Sequence, residues 1–105
     1  NEISLVGRLG SDINLRNTAA GKFVGSVNLA VNSGGNNRDV PATWYRLVLW
    51  EELAERAHNQ LAKGSLVWVR GNISVKTQEL PDGLKRQSME VSVRELHMVA
   101  PSNQR

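Results

Sequence analysis

Five runs of alternating apolar residues, interrupted once by a helical pattern, constrain the fold of this chain more than any other feature. The strand-like runs cover residues 3–10, 22–32, 43–50, 65–77 and about 86–99. Alternation with a period of two indicates strands that bury one face. Between the third and fourth strands, residues 51–64 predict one amphipathic helix. Its apolar face comprises Leu53, Ala54, Ala57 and Leu61.

Smaller signals mark the ends and irregularities of these elements. Two acids in the first turn of the helix, a lysine in its last turn and Gly64 after it predict a helix that ends near Gly64. Gly7 within the first strand predicts a bulge or a close approach of two backbones. The apolar phase of the fifth strand shifts near Arg94 and Glu95, which predicts a β-bulge. The apolar face of the fourth strand comprises Val67, Val69, Ile73 and Val75. Turn-forming residues predict connections at residues 17–21, 33–39 and 78–85.

The order of these elements predicts an all-β fold. A small chain made of strands must close its sheet or cover the edges. Five strands with one helix between strands 3 and 4 match the OB-fold, a partly open five-stranded Greek-key barrel that commonly binds oligonucleotides or oligosaccharides. A small sandwich and an SH3-like barrel are the alternatives, but neither has a full helix at that place. We predict one OB-fold domain over residues 1–100 and the start of a truncated or absent C-terminal tail at residues 101–105.

Composition excludes several classes of protein. The 105 residues contain no cysteine, which excludes thiol nucleophiles, thiolate metal sites and disulfides. The net charge of +3 is an ordinary surface value. No apolar run approaches the roughly 20 residues that cross a bilayer. His58 and His97 lack neighbours at metal-binding spacing, and no phosphate-binding glycine loop or nucleophile elbow is present. We therefore expect a protein that is not an enzyme and holds no metal or cofactor.

The third strand carries the residue types that bind a single nucleic-acid strand. Trp44, Arg46 and Trp50 share one parity, so they lie on the same strand face. Aromatic rings stack on exposed bases, and arginine neutralises phosphates. The alternative is that both tryptophans are core residues. We favour a ligand face, because an arginine between two core tryptophans would be buried. Trp68 alternates with Arg70 and lies on either a ligand face or a subunit interface.

Five segments in order give the chain a resemblance to the bacterial single-stranded DNA-binding protein family over residues 2–100. The segments are ISLVGRLGSD, VNLAVN, WYRLVLW, LAKGSLV and VRG. The resemblance implies an OB-fold, a homo-oligomer that is usually a tetramer, and sequence-tolerant binding of single-stranded DNA in replication, recombination and repair. It also implies a cytoplasmic, nucleoid-associated protein, or an organellar one in a eukaryote. The acidic tail through which the family docks replication and repair proteins does not follow Arg105, and the start at Asn1 predicts a fragment or trimmed chain.

The resemblance also implies the binding residues. Trp44 and Trp50 match the stacking positions, Arg46 matches an arginine-type contact, and Lys63 and Lys76 match basic positions. We expect the DNA backbone to follow a path lined by Arg8, Arg46, Arg70, Lys76, Lys85 and Arg86. The chain lacks the family's aromatic positions near Gly35 and Gln78, and it has two acids where many members have a basic residue after Trp50. These departures predict weaker stacking and phosphate contact.

Two other functions remain open at this point. The first is a primosomal relative of the same fold, an interaction protein whose main ligand is another replication protein and for which DNA is a helper. The missing aromatic positions favour it, and the near-complete match of the third strand disfavours it. The second is an enzyme or an oligosaccharide binder on an OB scaffold, which ranks lower because fold alone does not fix function.

Overall fold

The computed structural model of this chain describes residues 1–32 and 40–102. The predicted loop at residues 33–39 and the last three residues of the predicted tail, 103–105, lie outside the described residues. The elements in chain order are β1 (Glu2–Leu9), β2 (Asn14–Asn17), β3 (Phe23–Val31), β4 (Thr43–Trp50), α1 (Glu51–Gln60), β5 (Leu66–Glu79) and β6 (Lys85–Ala100).

The strand pairings close the sheet on itself. β1 pairs with β5, β5 with β6, β6 with β4 and β4 with β3. The ring closes where Arg8 and Leu9 of β1 are in register with Ala30 and Leu29 of β3. The β4–β6 pairing is parallel, and the other pairings are antiparallel. This closed ring of strands, with its helix between β4 and β5, confirms the predicted all-β OB-fold.

The structure has one strand segment more than the sequence predicted. β2 pairs with β3 outside the closed ring, with Leu15 in register with Gly25. Leu15 is the single apolar residue among its four residues, so no alternation marks the strand in the sequence. The predicted hairpin turn follows it, with a hydrogen bond from the Gly21 N–H to the Thr18 carbonyl at 2.9 Å.

The apolar faces meet inside the ring. Residues with less than 10% exposure come from β1, β3, β4, β5 and β6 and from α1; among them are Leu5, Leu29, Leu47, Ala57, Val69 and Val91. Gly7 faces this interior where β1 crosses β3, and a Cβ built on it would collide with the Ala30 carbonyl oxygen. The close backbone approach that was predicted from Gly7 is therefore confirmed.

The helix ends earlier than predicted. It stops at Gln60, and Leu61 is extended, with φ −115°. Leu61 still donates its N–H to the Ala57 carbonyl at 2.9 Å while its side chain enters the core. Gly64, expected to end the helix, has φ 91° and donates to the Leu9 carbonyl at 2.8 Å. The glycine therefore turns the chain into β5 rather than capping α1.

The longest hairpin contains the predicted bulge and extends past the core. Arg70 is in register with Glu95 and Gly71 with Val93, so Arg94 is the extra residue. Beyond it, residues 74–79 and 81–88 are exposed, and we call this projecting hairpin the β5–β6 arm. Val75, placed on the apolar face by its parity, is 59% exposed. The prediction for Val75 is wrong because no layer covers the arm.

Candidate functional site

One outer face of β4 carries the three residues that alternation placed together. Trp44 and Trp50 are 53% and 45% exposed, and the Arg46 side chain is 47% exposed. Leu47 and Leu49 of the same strand are completely buried. Both indoles and the guanidinium therefore point outward, and the alternative that the tryptophans are core residues is wrong.

The indole of Trp44 lies over a glycine of the adjoining segment. A Cβ built on Gly10 would lie 2.7 Å from Cζ3 of the ring and 3.1 Å from its Cη2. The Gly10 N–H donates a hydrogen bond of 2.8 Å to the Asn28 carbonyl, which fixes the backbone under the ring. The absence of a side chain at this residue is therefore what lets these ring atoms approach the backbone so closely.

Two open clefts flank Arg46, which lines both of them. The first, which we call the Trp44 cleft, has a volume of about 540 Å³, and its lining includes Asn28, Trp44, Gln78, Arg86 and Met89. The second, the Trp50 cleft, has a volume of about 400 Å³, and its lining includes Arg16, Val24, Val48, Trp50 and Glu90. Each cleft thus offers an aromatic ring and cationic groups to one ligand.

The cations on this face share one carboxylate. Arg46 Nε lies 3.8 Å from Glu90 Oε1, and Lys76 Nζ lies 4.0 Å from Glu90 Oε2. Both distances exceed hydrogen-bond length, so these are charge pairs without hydrogen bonds. The Arg46 and Lys76 side chains are 47% and 60% exposed, which leaves both cations open to a ligand.

Two predicted cations lie at the turn before β5. Arg8 Nη1 donates to the Gly64 carbonyl at 2.8 Å, next to Lys63. The Lys63 N–H donates to Asp12 Oδ1 at 2.8 Å, and its side chain is exposed. Arg8 is also in register with Ala30. Since Ala30 is in turn in register with Trp44, Arg8 lies beside the Trp44 end of the face. Neither Arg8 nor Lys63 lines the described clefts.

The remaining predicted cations separate into two groups. Arg86 lines the Trp44 cleft from the arm, and Lys85 lies at the start of β6, in register with Glu79. Arg70 points elsewhere: its guanidinium forms ion pairs with Glu2 at 3.0 Å and Glu95 at 2.9 Å. These partners belong to β1 and β6, so the structure does not bring Arg70 together with the tryptophan face.

A separate network of charged and aromatic groups surrounds Arg70. Trp68 stacks on His97, with ring centroids 5.6 Å apart and an interplanar angle of 27°. His97 Nε2 lies 3.1 Å from Glu95 Oε2. Hydrogen bonds lower the pKa of Glu95; the bond from His97 has the largest effect and the bond from Arg70 the next largest. The pKa of Arg70 is raised by its hydrogen bond to Glu95 and, to a smaller extent, by its bond to Glu2. The network covers the β1–β5–β6 surface.

The histidines have structural partners. His58 Nδ1 lies 3.0 Å from the Ile13 carbonyl and ties α1 to the segment before β2. Among residues 1–32 and 40–102, no group of three or more His, Cys, Asp or Glu side chains could hold a metal ion. Within the same residues, no helix is long and apolar enough to span a membrane.

Comparison with known proteins identifies the family of this chain. The sequence model of the single-strand binding protein family matches residues 1–99. The chain belongs to the single-strand binding protein family. Single-stranded DNA-binding protein 2 of Listeria innocua is 37% identical over 105 residues, which cover 98% of this chain and 66% of that protein. Single-stranded DNA-binding protein B of Bacillus subtilis is 40% identical over 86 residues, which cover 80% and 76%.

A solved structure gives the same fold. The crystal structure of the mitochondrial single-stranded DNA-binding protein Rim1 of S. cerevisiae superposes with a TM-score of 0.77 over 97% of both chains, at 20% identity. At that identity the likeness shows the fold alone, which is the predicted OB-fold. The chain spans less than two thirds of several of its curated relatives, for example 62% of the Neisseria meningitidis single-stranded DNA-binding protein.

One of the two aromatic positions expected from the resemblance falls at the Trp44 cleft. Gln78, near which that aromatic residue was expected, lines this cleft. The other missing aromatic position, near Gly35, lies outside the described residues. Sequence reasoning also missed Arg16 and Glu90, which line the Trp50 cleft. Arg16 lies in the unrecognised strand β2, and Glu90 meets Arg46 only across a strand pair, so no local pattern reveals either residue.

Proposed function

We propose that this chain binds and coats single-stranded DNA without strong sequence preference. The observation that carries the proposal is the outer face of β4, where two half-exposed indoles flank Arg46 and an open cleft lies on each side. Family membership and the names of the bacterial relatives support it.

The chemistry needs unpaired bases. In a single strand the faces of the bases are exposed and stack on aromatic rings, which is sequence-tolerant because every base has such a face. In this proposal Trp44 and Trp50 each receive a base. Arg46, between the two clefts, neutralises a phosphate. A duplex hides the faces of its bases in the stack, so the same surface discriminates against it. This function requires neither a catalytic step nor a cofactor.

The phosphate path follows the cations that border the clefts. Arg86 on the arm and Lys76 beside Glu90 extend it from one end, and Arg16 extends it past Trp50. Arg8, Lys63 and Lys85 line neither cleft and are weaker candidates. Arg70 is the weakest, because Glu2 and Glu95 already hold its guanidinium.

The proposal is tested by titration with oligo-dT, with a duplex of equal length and with an oligosaccharide panel, at several salt concentrations. Stacking is worth about 1–3 kcal/mol per base, so Trp44→Ala weakens oligo-dT binding by about that much and leaves the salt dependence unchanged. Arg46→Ala lowers the slope of log affinity against log salt by about 0.7, the value for one phosphate contact on a single strand.

Matched variants control for general effects. Arg56→Ala removes an exposed arginine from α1 and is expected to preserve the slope. Trp68→Ala removes an indole from another surface. If Trp44→Ala remains folded and binds oligo-dT as tightly as the parent chain, the stacking face is refuted. An interaction protein whose main ligand is another replication protein then becomes the better explanation.

We also propose that the chain assembles into a homo-oligomer, a tetramer as the family resemblance implies, and serves replication, recombination and repair in the bacterial cytoplasm. A 105-residue domain buries only about 60–70% of its unfolded surface, so a subunit interface would add burial. Val6, Met98 and Val99 are 48%, 51% and 57% exposed, which supports such an interface. Light scattering that gives a monomer at micromolar concentration contradicts this assembly.

A further inference from the structure

A carboxylate lies in the middle of a surface that binds phosphates in the proposal above. Glu90 of β6 is in register with Arg46 on one side and with Ser74 on the other. Its side chain is 27% exposed. Among the described residues that line the Trp44 and Trp50 clefts, Glu90 is the one acid. A phosphate site has no use for this negative charge, so its position needs an explanation.

Stability does not supply that explanation. The pairs that Glu90 makes with Arg46 and Lys76 are 3.8 Å and 4.0 Å long and lie between partly exposed groups. Pairs of this kind contribute little to folding, because water screens them and ordering the side chains costs entropy. Their effect on a ligand is larger. A carboxylate within 4 Å of two cations cancels part of the positive potential that an incoming phosphate meets.

We propose that Glu90 is an internal counter-charge that competes with DNA phosphates for Arg46 and Lys76 and thereby limits the affinity and the salt dependence of binding. The inference rests on the proposed function. Phosphate engagement separates Glu90 from both cations, and the freed carboxylate takes up a cation from solution. That uptake offsets part of the cation release that drives protein binding to nucleic acids.

The test compares Glu90→Gln with Glu55→Gln, a variant at a partly exposed α1 residue with the same change in net charge. Oligo-dT affinity is measured over a range of salt concentrations. Glu90→Gln is expected to bind about three- to fourfold more tightly at low salt, the effect of removing one charge about 5–7 Å from a phosphate in an aqueous medium. Its salt slope steepens by up to about 0.7. Glu55→Gln changes both quantities by much less.

Further variants separate charge from shape. Glu90→Asp keeps the charge and is expected to bind within about twofold of the parent chain. In an Arg46→Gln background, the gain from Glu90→Gln shrinks because one of the two competed cations is gone. Thermal unfolding establishes that each variant is folded. If Glu90→Gln does not fold, Glu90→Asp still tests the inference. A tenfold change in affinity for this charge-preserving variant overturns it.

Other outcomes also overturn it. Equal gains for Glu90→Gln and Glu55→Gln would show an effect of net charge alone. Weaker binding of Glu90→Gln would show that the carboxylate positions Arg46, and a loss larger for oligo-dC than for oligo-dT would show that it accepts hydrogen bonds from base amino groups. If the parent chain binds oligo-dT and Glu90→Gln gains nothing, this inference alone fails. If the parent chain binds no oligo-dT at any salt concentration, the proposed function fails with it.

Discussion

Gly10 offers a way to move the indole of Trp44 without removing it. The substitution Gly10→Ala puts a methyl group 2.7 Å from Cζ3 of that ring, whereas ordinary van der Waals contact begins at 3.4 Å. The φ angle of Gly10 is not positive, so alanine can adopt the same backbone conformation without strain. The backbone is held by the bond to the Asn28 carbonyl, and Trp44 is 53% exposed, so the ring moves rather than the chain.

The expected effect is a loss of stacking at constant charge. Full loss of one stacked base costs about 1–3 kcal/mol, which is roughly 5- to 150-fold in affinity. A displaced ring loses part of that, and we expect Gly10→Ala to weaken oligo-dT binding by at least about threefold but less than Trp44→Ala does. Anisotropy of a labelled oligo-dT measures the affinity. The salt slope stays the same because no phosphate contact changes.

A double-mutant cycle decides whether the effect acts through the ring. In a Trp44→Ala background, Gly10→Ala is expected to have no further effect on affinity, because the group that it displaces is gone. The free energy of unfolding changes by less than about 1 kcal/mol, since the half-exposed ring can swing into solvent. Unchanged oligo-dT affinity in Gly10→Ala, or equal losses in both backgrounds, would refute the reasoning.

Three further predictions concern other parts of the chain. Glu51 begins α1 with φ 58°, in the left-handed region. Glu51→Gly relieves strain of about 1–2 kcal/mol against an entropy cost of about 0.4–1 kcal/mol, so urea denaturation should show a net gain in stability, and a net loss would contradict this. Hydrogen bonds hold the pKa of Glu95 below its ordinary value of 4.5, so Glu95 stabilises the fold above that value and the contribution disappears as the pH falls through the lowered pKa. Between pH 5 and pH 3, the parent chain should therefore lose more thermal stability than Glu95→Gln, and parallel losses would exclude the effect. Arg16→Gln should lower the salt slope of oligo-dT binding by about 0.7, whereas Arg56→Gln should preserve it.

Local sequence patterns predicted the elements where periodicity and burial agree. The shift in the apolar alternation near Arg94 located the bulge, because an extra residue in a strand moves the following side chains to the opposite face of the sheet. The outward direction of Trp44 and Trp50 followed from parity with Arg46. Each of these inferences uses neighbours within one strand, which is the range over which a periodic pattern carries information.

Features that depend on distant partners were out of reach. β2 is a strand because β3 pairs with it, and its own residues carry no alternation. The end of α1 was misplaced because Leu61 leaves the helix to enter the core, a tertiary effect that overrides the glycine signal. Glu90 and Arg46 lie 44 positions apart in sequence, and only the parallel pairing of β6 with β4 brings them together.

The β5–β6 arm has a consequence for how the molecule opens. Both faces of the arm are exposed along residues 74–79 and 85–88, so its ladder rests on backbone hydrogen bonds with little apolar burial. A two-stranded hairpin of this kind is marginally stable by itself. Its amides therefore exchange with solvent through local opening, while those of buried Val67 and Val69 exchange only when the whole domain unfolds. The cations of the arm thus belong to a unit that opens independently of the barrel. Bound DNA would therefore slow the hydrogen exchange of the amides in the arm more than that of the amides in the barrel.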